Sequence, residues 1–324
     1  MPAPSYIPWL HRLAVLTACV ALLPILMGAL VTTKDAGMAF KDWPNSDGHN
    51  MLAYPWLKSA GDKFLEHGHR LAGILIGITS ILLTVVAGVA EPRRWVKAMA
   101  ACVLVSVITQ GILGGSRVLL DQRGLAFVHG SFAALVMALM ISLAVVTSRG
   151  WFVSASQSPV SQSSAGKFRR LHLLAIATCG VVFFQYVLGG LLRHQGMMLH
   201  EHLGFAFVAA LMVVWLAISA AASGADWLRT PAARLAVLTI VQLALGAGAW
   251  VVRFGFGDYV AVYGSTLQVA VRTGHVLCGM LLFVTTVLLA VRVSRLHWTF
   301  SQSLRSEKNV VAFNVSLPLA GGAR

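Results

Sequence analysis

The residues best suited to chemistry are Glu66, His69 and Arg70, which lie together where a polar segment meets the apolar stretch 71–90. Glu66 and His69 are three residues apart, so on a helix they share one face and the carboxylate reaches whatever the imidazole holds. Ionisable groups at the mouth of an apolar segment are costly to keep and usually mark a functional site. A plain ion pair between Glu66 and Arg70, or a carboxylate at a helix N-terminus, remains the alternative interpretation.

Three more histidines, His129, His202 and His275, occupy places similar to that of His69, each near the start of an even-numbered apolar segment. Because alternate segments of a membrane protein run in the same direction, the four imidazoles are expected at one depth. Histidine is a common axial ligand of heme iron. The layer therefore predicts two ligand pairs, His69 with His129 and His202 with His275, one for each of two porphyrins. A packing role for any single histidine stays open.

Other metal sites fit the sequence less well. A di-iron carboxylate centre requires two Glu-x-x-His motifs and two further glutamates, and only the motif at Glu66 and His69 is complete. His67 points about 200° away from His69 on a helix, so it is not expected to share a ligand with it. The four cysteines lie inside apolar segments without a Cys-x-x-Cys pattern and are read as buried thiols.

Arginines follow several of the apolar segments. Arg117, Arg193 and Arg253, with Arg272, lie at segment ends on the side of the histidine layer. A guanidinium group binds a carboxylate through two parallel hydrogen bonds, so these residues are candidates for holding heme propionates. Ordinary anchoring at the membrane interface is the alternative.

The elements that must position these groups are membrane helices. The chain has 324 residues, of which 57% are hydrophobic and 11% charged. Blocks of about 20 apolar residues, enough to cross the hydrocarbon core, predict an all-α polytopic membrane protein. The eight blocks are 13–33, 71–90, 97–116, 125–147, 171–192, 203–222, 232–252 and 274–292.

Charge predicts the orientation in the membrane. The alternate loops that include Arg93, Arg94 and Arg149 carry nearly all of the net charge of +14. The positive-inside rule makes those loops cytoplasmic. The protein is then expected in the inner membrane of the cell. Both termini are expected on the cytoplasmic side, and the histidine layer near the outer face. The basic composition needs no nucleic-acid partner.

A repeated motif predicts that the eight helices form two pseudo-symmetric four-helix bundles. Gln110-x-x-Leu-Gly-Gly recurs at Gln185 and, with one change, at Gln242. Close helix packing is the alternative reason for such glycines. The predicted units are an N-terminal half at 1–153, a cytoplasmic linker at 154–170, a C-terminal half at 171–295 and a cytoplasmic tail at 296–324. The outer loop 34–65 is long and 193–200 is short, so we expect a lid over the first half only.

These residues resemble the heme A synthase family. The resemblance covers about 12–292 and rests on Gly37-Met38-x-x-x-Asp42-Trp43-Pro44, on Glu66-x-x-His69-Arg70 and on the single histidines of the later helices. It implies a membrane oxidoreductase that converts the C8 methyl group of heme O into the formyl group of heme A, by successive hydroxylations and loss of water.

The resemblance also implies roles for the candidate residues. Glu66 is the catalytic carboxylate, and the substrate heme lies near His69 and His129, with Arg70 and Arg117 assigned to it. A heme b cofactor lies near His202 and His275, with Arg193 and Arg253 assigned to it. The implied partners are heme O, an electron donor, heme O synthase and cytochrome oxidase assembly factors, within the lipid bilayer; an oligomer is compatible with this reading.

One departure from the family keeps alternatives open. Many members carry a cysteine pair in the first outer loop, where this chain has Asn45 and Ser46 after Trp43-Pro44. A divergent relative with another substrate is therefore one alternative. Others are a diheme b-type cytochrome that transfers electrons without modifying heme, and an assembly protein that only delivers heme. A heme O-forming prenyltransferase is disfavoured, because the Asp-rich motifs that hold magnesium diphosphate are missing.

Overall fold

The computed structural model describes residues 5–122, 124–153 and 162–316. Within them, eight helices are long and apolar enough to cross a membrane, with mean hydropathy between 1.9 and 2.5. The regular structure of these residues is helical apart from two isolated bridges, Ser46 with His49 and Phe256 with Tyr259. The predicted class of all-α polytopic membrane protein is confirmed. The membrane helices are α1 Pro8–Thr33, α2 Gly61–Ala90, α3 Arg94–Leu119, α4 Leu125–Thr147, α5 Ala165–Gln195, α6 Leu199–Ala221, α7 Asp226–Phe254 and α8 Thr266–Ser303.

The helices extend beyond the apolar blocks from which they were predicted. The helical backbone of α5 starts at Gln162, and that of α8 continues to Ser316. Part of the predicted linker 154–170 and part of the predicted tail 296–324 are therefore helical. Residues 154–161 and 317–324 of these two segments lie outside the described residues.

Helix α1 is interrupted at Ala21, between the helical stretches Pro8–Val20 and Leu22–Thr33. Pro24 explains the break, because proline has no N–H to donate to the carbonyl of Val20 and its ring crowds that carbonyl. The interruption places the carbonyl group of Pro24 within hydrogen-bond distance of α2.

Neighbouring helices pack in two rings of four. In the first ring α1 packs on α2, α2 on α3, α3 on α4 and α4 on α1; the second ring repeats this order with α5, α6, α7 and α8. The rings meet where α8 packs against α1 and α4, and where α4 packs against α5. Accordingly α4 and α8 are the most buried helices, with 50% and 44% of their apolar windows inside the protein. The symmetry of the two rings remains a prediction.

Candidate functional site

The four predicted histidines form two couples. The ring centroids of His69 and His129 are 6.1 Å apart, with an interplanar angle of 74°. Those of His202 and His275 are 6.3 Å apart, with an angle of 88°. Helices α2, α4, α6 and α8 each contribute one ring, so the pairing expected from the sequence is the pairing in the structure.

The spacing within each couple suits a shared metal ion. A metal bound to one nitrogen of each of two opposed imidazoles, at about 2 Å per bond, places the ring centroids about 6 Å apart. Within the described residues, no group of three or more His, Cys, Asp or Glu is placed to hold a metal ion. A metal at either couple therefore needs its remaining ligands from a bound molecule, as iron in a porphyrin has.

Each imidazole rests against a glycine of the neighbouring helix. A Cβ atom built on Gly28 would lie 3.0 Å from Cε1 of His69, and one built on Gly189 would lie 3.0 Å from Cε1 of His202. The equivalent distances are 3.5 Å from Gly114 to His129 and 3.2 Å from Gly246 to His275. The glycines of the repeated motif thus make room for the rings.

Polar groups four residues before these glycines contact the same histidines. The carbonyl oxygen of Pro24 lies 2.9 Å from Nδ1 of His69, which places a proton on Nδ1 and leaves Nε2 for a ligand. Gln185 Nε2 lies 3.1 Å from Nδ1 of His202 and donates to its carbonyl. Gln110 donates to the carbonyl of His129, and Gln242 Nε2 lies 3.4 Å from Nε2 of His275.

Several buried polar atoms at the site have no hydrogen-bond partner within the described protein. They are Nδ1 of His129, Nδ1 of His275 and the Oε1 atoms of Gln110, Gln185 and Gln242. Buried polar atoms in native proteins are normally paired, and the exceptions need an explanation. A ligand bound at the imidazole nitrogens beside the cavity would account for the two unpaired Nδ1 atoms.

One cavity of about 1860 Å³ contacts all four histidines. It runs through both helix rings, and its lining is mainly apolar. Its charged lining residues are Arg70, Arg117, Arg193, Arg253 and Arg272 against Asp35 and Glu66. The excess of guanidinium groups favours an anionic ligand with carboxylate or phosphate groups.

Glu66 lies beside the first couple and is 4% exposed. Its Oε2 accepts hydrogen bonds from the backbone N–H groups of Ala39, at 2.7 Å, and Phe40, at 3.4 Å. Its Oε1 is 2.7 Å from Nη2 of Arg70. The carboxylate thus lines the cavity and also holds the loop above it.

That loop, residues 34–60, is called the lid. Arg70 donates from Nη1 to the carbonyl oxygens of Asp42 and Asn45, and its guanidinium lies 4.9 Å from the ring centroid of the fully buried Phe40. The ring of Trp43 occupies the space that a Cβ on Gly115 would take. The lid is therefore attached to α2 and α3, over the first couple.

The remaining predicted arginines take different places around the cavity. Arg117 packs its guanidinium against Gly37 of the lid. Arg193 donates from Nη2 to the carbonyl of Ala29, at 2.6 Å, and to Oγ1 of Thr33, at 2.8 Å. Arg253 lines the cavity. Propionate binding by these residues remains a prediction.

His67 does not line the cavity. It is 1% exposed, its Nδ1 lies 3.0 Å from Oγ of Ser46, and its ring packs against Tyr54 of the lid at 4.6 Å. The expected orientation away from His69 agrees with this placement.

Sequence reasoning missed two features of the site. His194 was not among the histidines predicted for the site, yet it lines the cavity and its Nε2 lies 3.6 Å from the Cβ position of Gly130, next to His129. The expectation that only the first half has a covering loop was also wrong. Residues 255–265 follow α7, and Phe256 and Tyr263 of this loop line the cavity. His194 follows Arg193, and the loop 255–265 begins two residues after Arg253. An arginine at the end of a helix is the feature of the sequence that could have indicated both.

Comparison with known proteins finds one family model that matches part of the chain. Residues 57–201 match the family described as cytochrome oxidase assembly protein, COX15-CtaA. The match includes Glu66 and the first couple and ends one residue before His202.

Three curated relatives are each named heme A synthase. The chain is 29% identical to a heme A synthase of Symbiobacterium thermophilum over 58% of this chain and 60% of the relative. It is 24% identical to a heme A synthase of Geobacillus kaustophilus over 76% of this chain and 83% of the relative. A heme A synthase of Rhizobium rhizogenes is 30% identical over 44% of this chain and 40% of its own length. The family match, which covers less than half of the chain, and these relatives make the chain similar to heme A synthases over part of its length.

Proposed function

We propose that this protein is a heme A synthase, which oxidises the C8 methyl group of heme O to a formyl group by successive hydroxylations and loss of water. The observation that carries the proposal is the asymmetry of two otherwise similar couples. Both have the spacing of a ligand pair, but only His69 has a carboxylate three residues before it. The residue three before His202 is Leu199.

The asymmetry assigns a different task to each half. The substrate heme lies between His69 and His129, under the lid and beside Glu66. His202 and His275 would hold a heme b cofactor, which would supply electron transfer. The orphaned Nδ1 atom of His275 and the glycine beneath each ring favour a bound tetrapyrrole in both couples.

The residues around the substrate have separable roles. Glu66 provides a buried negative charge that stabilises positive charge developing at the methyl carbon, or orients a water molecule that attacks it. Arg70 fixes the carboxylate. The lid excludes bulk water, which strengthens these electrostatic interactions. Arg117 at the first site, and Arg193 and Arg253 at the second, neutralise the propionates.

The surroundings complete the proposal. Residues 1–153 form the substrate half and 171–295 the cofactor half, with both termini cytoplasmic and the site near the outer face, as the distribution of basic residues favours. Electrons pass to or from a separate donor or acceptor. Heme O synthase and cytochrome oxidase assembly factors are the proposed partners.

The test is Glu66→Gln, with Glu91→Gln as the matched control. Glu91 is also buried and also paired, with Arg93 at 2.7 Å, but it lies between α2 and α3 at the end far from the lid. We expect Glu66→Gln to bind heme and to accumulate heme O or a hydroxylated intermediate, while Glu91→Gln still yields heme A. The measurement is the heme type extracted from the purified protein.

The alternatives predict other results. If the wild-type protein, given heme O and a redox partner, leaves heme O unchanged, the protein is a diheme cytochrome or a heme carrier. If Glu66→Gln yields as much heme A as the wild type, the role given to Glu66 is wrong.

A further inference from the structure

Two glycines line the cavity near the first couple. Gly73 of α2 and Gly111 of α3 are both lining residues and both are exposed. A Cβ atom at either position would meet nothing within 4 Å. These glycines lie on neighbouring helices, and we call the open space at their Cβ positions the slot.

The slot lies deeper in the bundle than the imidazoles. Gly73 follows His69 by four residues, and Gly111 precedes Gly114 by three. Both steps lead away from the lid by about one helical turn, or roughly 5 Å. The neighbouring side chains Ile78 and Ile112 are more than half exposed, which suits contact with lipid chains.

The corresponding wall of the second half has larger side chains. Leu243 follows Gln242 as Gly111 follows Gln110, and Phe207 follows His202 by five residues as Ile74 follows His69. Leu243 and Phe207 also line the cavity, and they are 49% and 71% exposed. The cavity wall of the second half thus has a leucine and a phenylalanine where that of the first has glycine and isoleucine, and Ala206 stands where the first has Gly73.

We propose that the slot between Gly73 and Gly111 holds the isoprenoid chain of the substrate, and that Phe207 and Leu243 keep such a chain out of the second site. The inference rests on the proposed function and deepens it. Heme O differs from heme b by a long apolar chain on one ring edge, whereas the iron and the two propionates are common to both. The imidazole couples and the arginines therefore have nothing with which to tell the two hemes apart.

The slot provides the means of distinguishing heme O from heme b that the imidazoles and arginines do not provide. It lets the chain leave the cavity sideways into an apolar environment, where its apolar surface is removed from water. A pocket that must reject a bulkier apolar group does so sterically, and even small differences in such pockets discriminate by about tenfold or more.

The test uses leucine substitutions, and at Gly111 the change copies Leu243 of the second half. Gly73→Leu and Gly111→Leu fill the slot, and Gly88→Leu is the control, because Gly88 is equally exposed on α2 and equally open but does not line the cavity. Leucine favours helix over glycine, so the variants are expected to fold. The measurement is absorption titration of the purified protein with heme O and, separately, with heme b.

We expect Gly73→Leu and Gly111→Leu to weaken heme O binding at the first site by about tenfold or more and to leave heme b binding unchanged. Gly88→Leu should change neither. Equal weakening of both hemes, or unchanged heme O affinity, would overturn the proposal.

The converse variant carries Phe207→Ala and Leu243→Gly together. We expect it to take heme O into the second site, seen as a higher heme O content after extraction; an unchanged content counts against the exclusion role. The titrations also separate this proposal from the proposed function. A wild-type protein that binds heme O through the slot but never oxidises it would refute the activity alone.

Discussion

At the scale of single residues, the position of each imidazole depends on a glycine of the next helix. Alanine at Gly189 would bring a Cβ atom to 3.0 Å from the ring of His202, closer than atoms in a packed interior normally approach. Because His202 also contacts Gln185 on the same face of α5, it has little room to retreat. The glycine therefore determines the ring position as much as the histidine does.

We expect Gly189→Ala to reduce the heme bound at the second couple, whereas Gly180→Ala on the same helix should retain it. Gly180 has open space at its Cβ position, and alanine there favours the helix by about 0.5–1 kcal/mol. The measurement is the ratio of heme absorbance to protein in the two purified variants. Equal heme content in both variants would contradict the contact described here.

The sequence predicted the histidines better than their surroundings. Their recurrence at the start of alternate helices was sufficient to pair His69 with His129 and His202 with His275. The contact between Gly189 and His202 was not predictable, because it depends on how two helices rotate about their axes. For the same reason, the spacing of Glu66 and His69 indicated a shared face, but not that the carboxylate holds the backbone of Ala39 and Phe40.

At the scale of elements, the lid is held partly by a carboxylate of its own. Asp42 accepts hydrogen bonds from the backbone N–H groups of Asp47, at 3.0 Å, and Gly48, at 2.7 Å. Partial burial alone would raise the pKa of Asp42. The N–H groups of Gly48 and Asp47 and the charge of Arg70 outweigh that effect, so the pKa lies below its ordinary value.

A lowered pKa fixes the sign of the pH dependence. The folded lid favours the ionised carboxylate, so its contribution to lid stability is complete above about pH 4, the range of an unperturbed aspartate. It is lost as the pH falls through the lower pKa of the folded state. We expect the lid to become sensitive to limited proteolysis below that pH, and Asp42→Asn to be sensitive already at pH 7.

The control for this prediction is Asp258→Asn, in the loop that follows α7. Asp258 is exposed, so its substitution should leave proteolysis of the lid unchanged. Identical digestion of Asp42→Asn and wild type at pH 7 would show that the carboxylate does not order the lid.

Loops were the least predictable elements. The length of 34–65 correctly indicated a covering segment for the first half. The comparison with 193–200 overlooked 255–265, because only the loop at the equivalent place in the chain was considered. The later loop turns at Gly255, whose φ of +81° and whose Cβ position, 2.9 Å from the carbonyl oxygen of Tyr259, both require glycine. A single glycine after a helix is too common a signal to predict a cavity wall.

At the scale of the whole molecule, Arg193 connects the two helix rings. It belongs to α5, and its two hydrogen bonds end on Ala29 and Thr33 of α1. Thr273 of α8 lies 3.2 Å from the same Thr33 hydroxyl. A guanidinium at the C-terminal end of α1 also meets the negative end of the helix dipole. The rings are thus joined by polar bonds as well as by apolar packing.

We expect Arg193→Met to lower the free energy of unfolding by about 1–3 kcal/mol, because it removes the two hydrogen bonds that the guanidinium donates to the Ala29 carbonyl and the Thr33 hydroxyl. The control is Arg229→Met, whose partner Asp226 lies in an exposed pair, where an ion pair contributes about 0–1 kcal/mol. Thermal unfolding of the heme-free protein in detergent measures both. Equal shifts for the two variants would refute the connection.

The number of helices and the membrane class followed from the length of the apolar blocks, because a bilayer allows few other solutions. The course of the cavity through both rings did not follow, since it depends on which residues of eight helices face inward together. The shared void became visible only with the helices in place.

The two backbone hydrogen bonds that Glu66 accepts from the lid allow the site to be studied without bound heme. The amide hydrogens of Ala39 and Phe40 point to one oxygen of this carboxylate, so their exchange with deuterated solvent registers whether the side chain is in place. The exchange protection of these two lid amides therefore reports the position of the Glu66 carboxylate, and it can be measured in heme-free protein. If the Glu66 side chain turned toward the substrate, these two hydrogen bonds would break, and the amides of Ala39 and Phe40 would exchange faster.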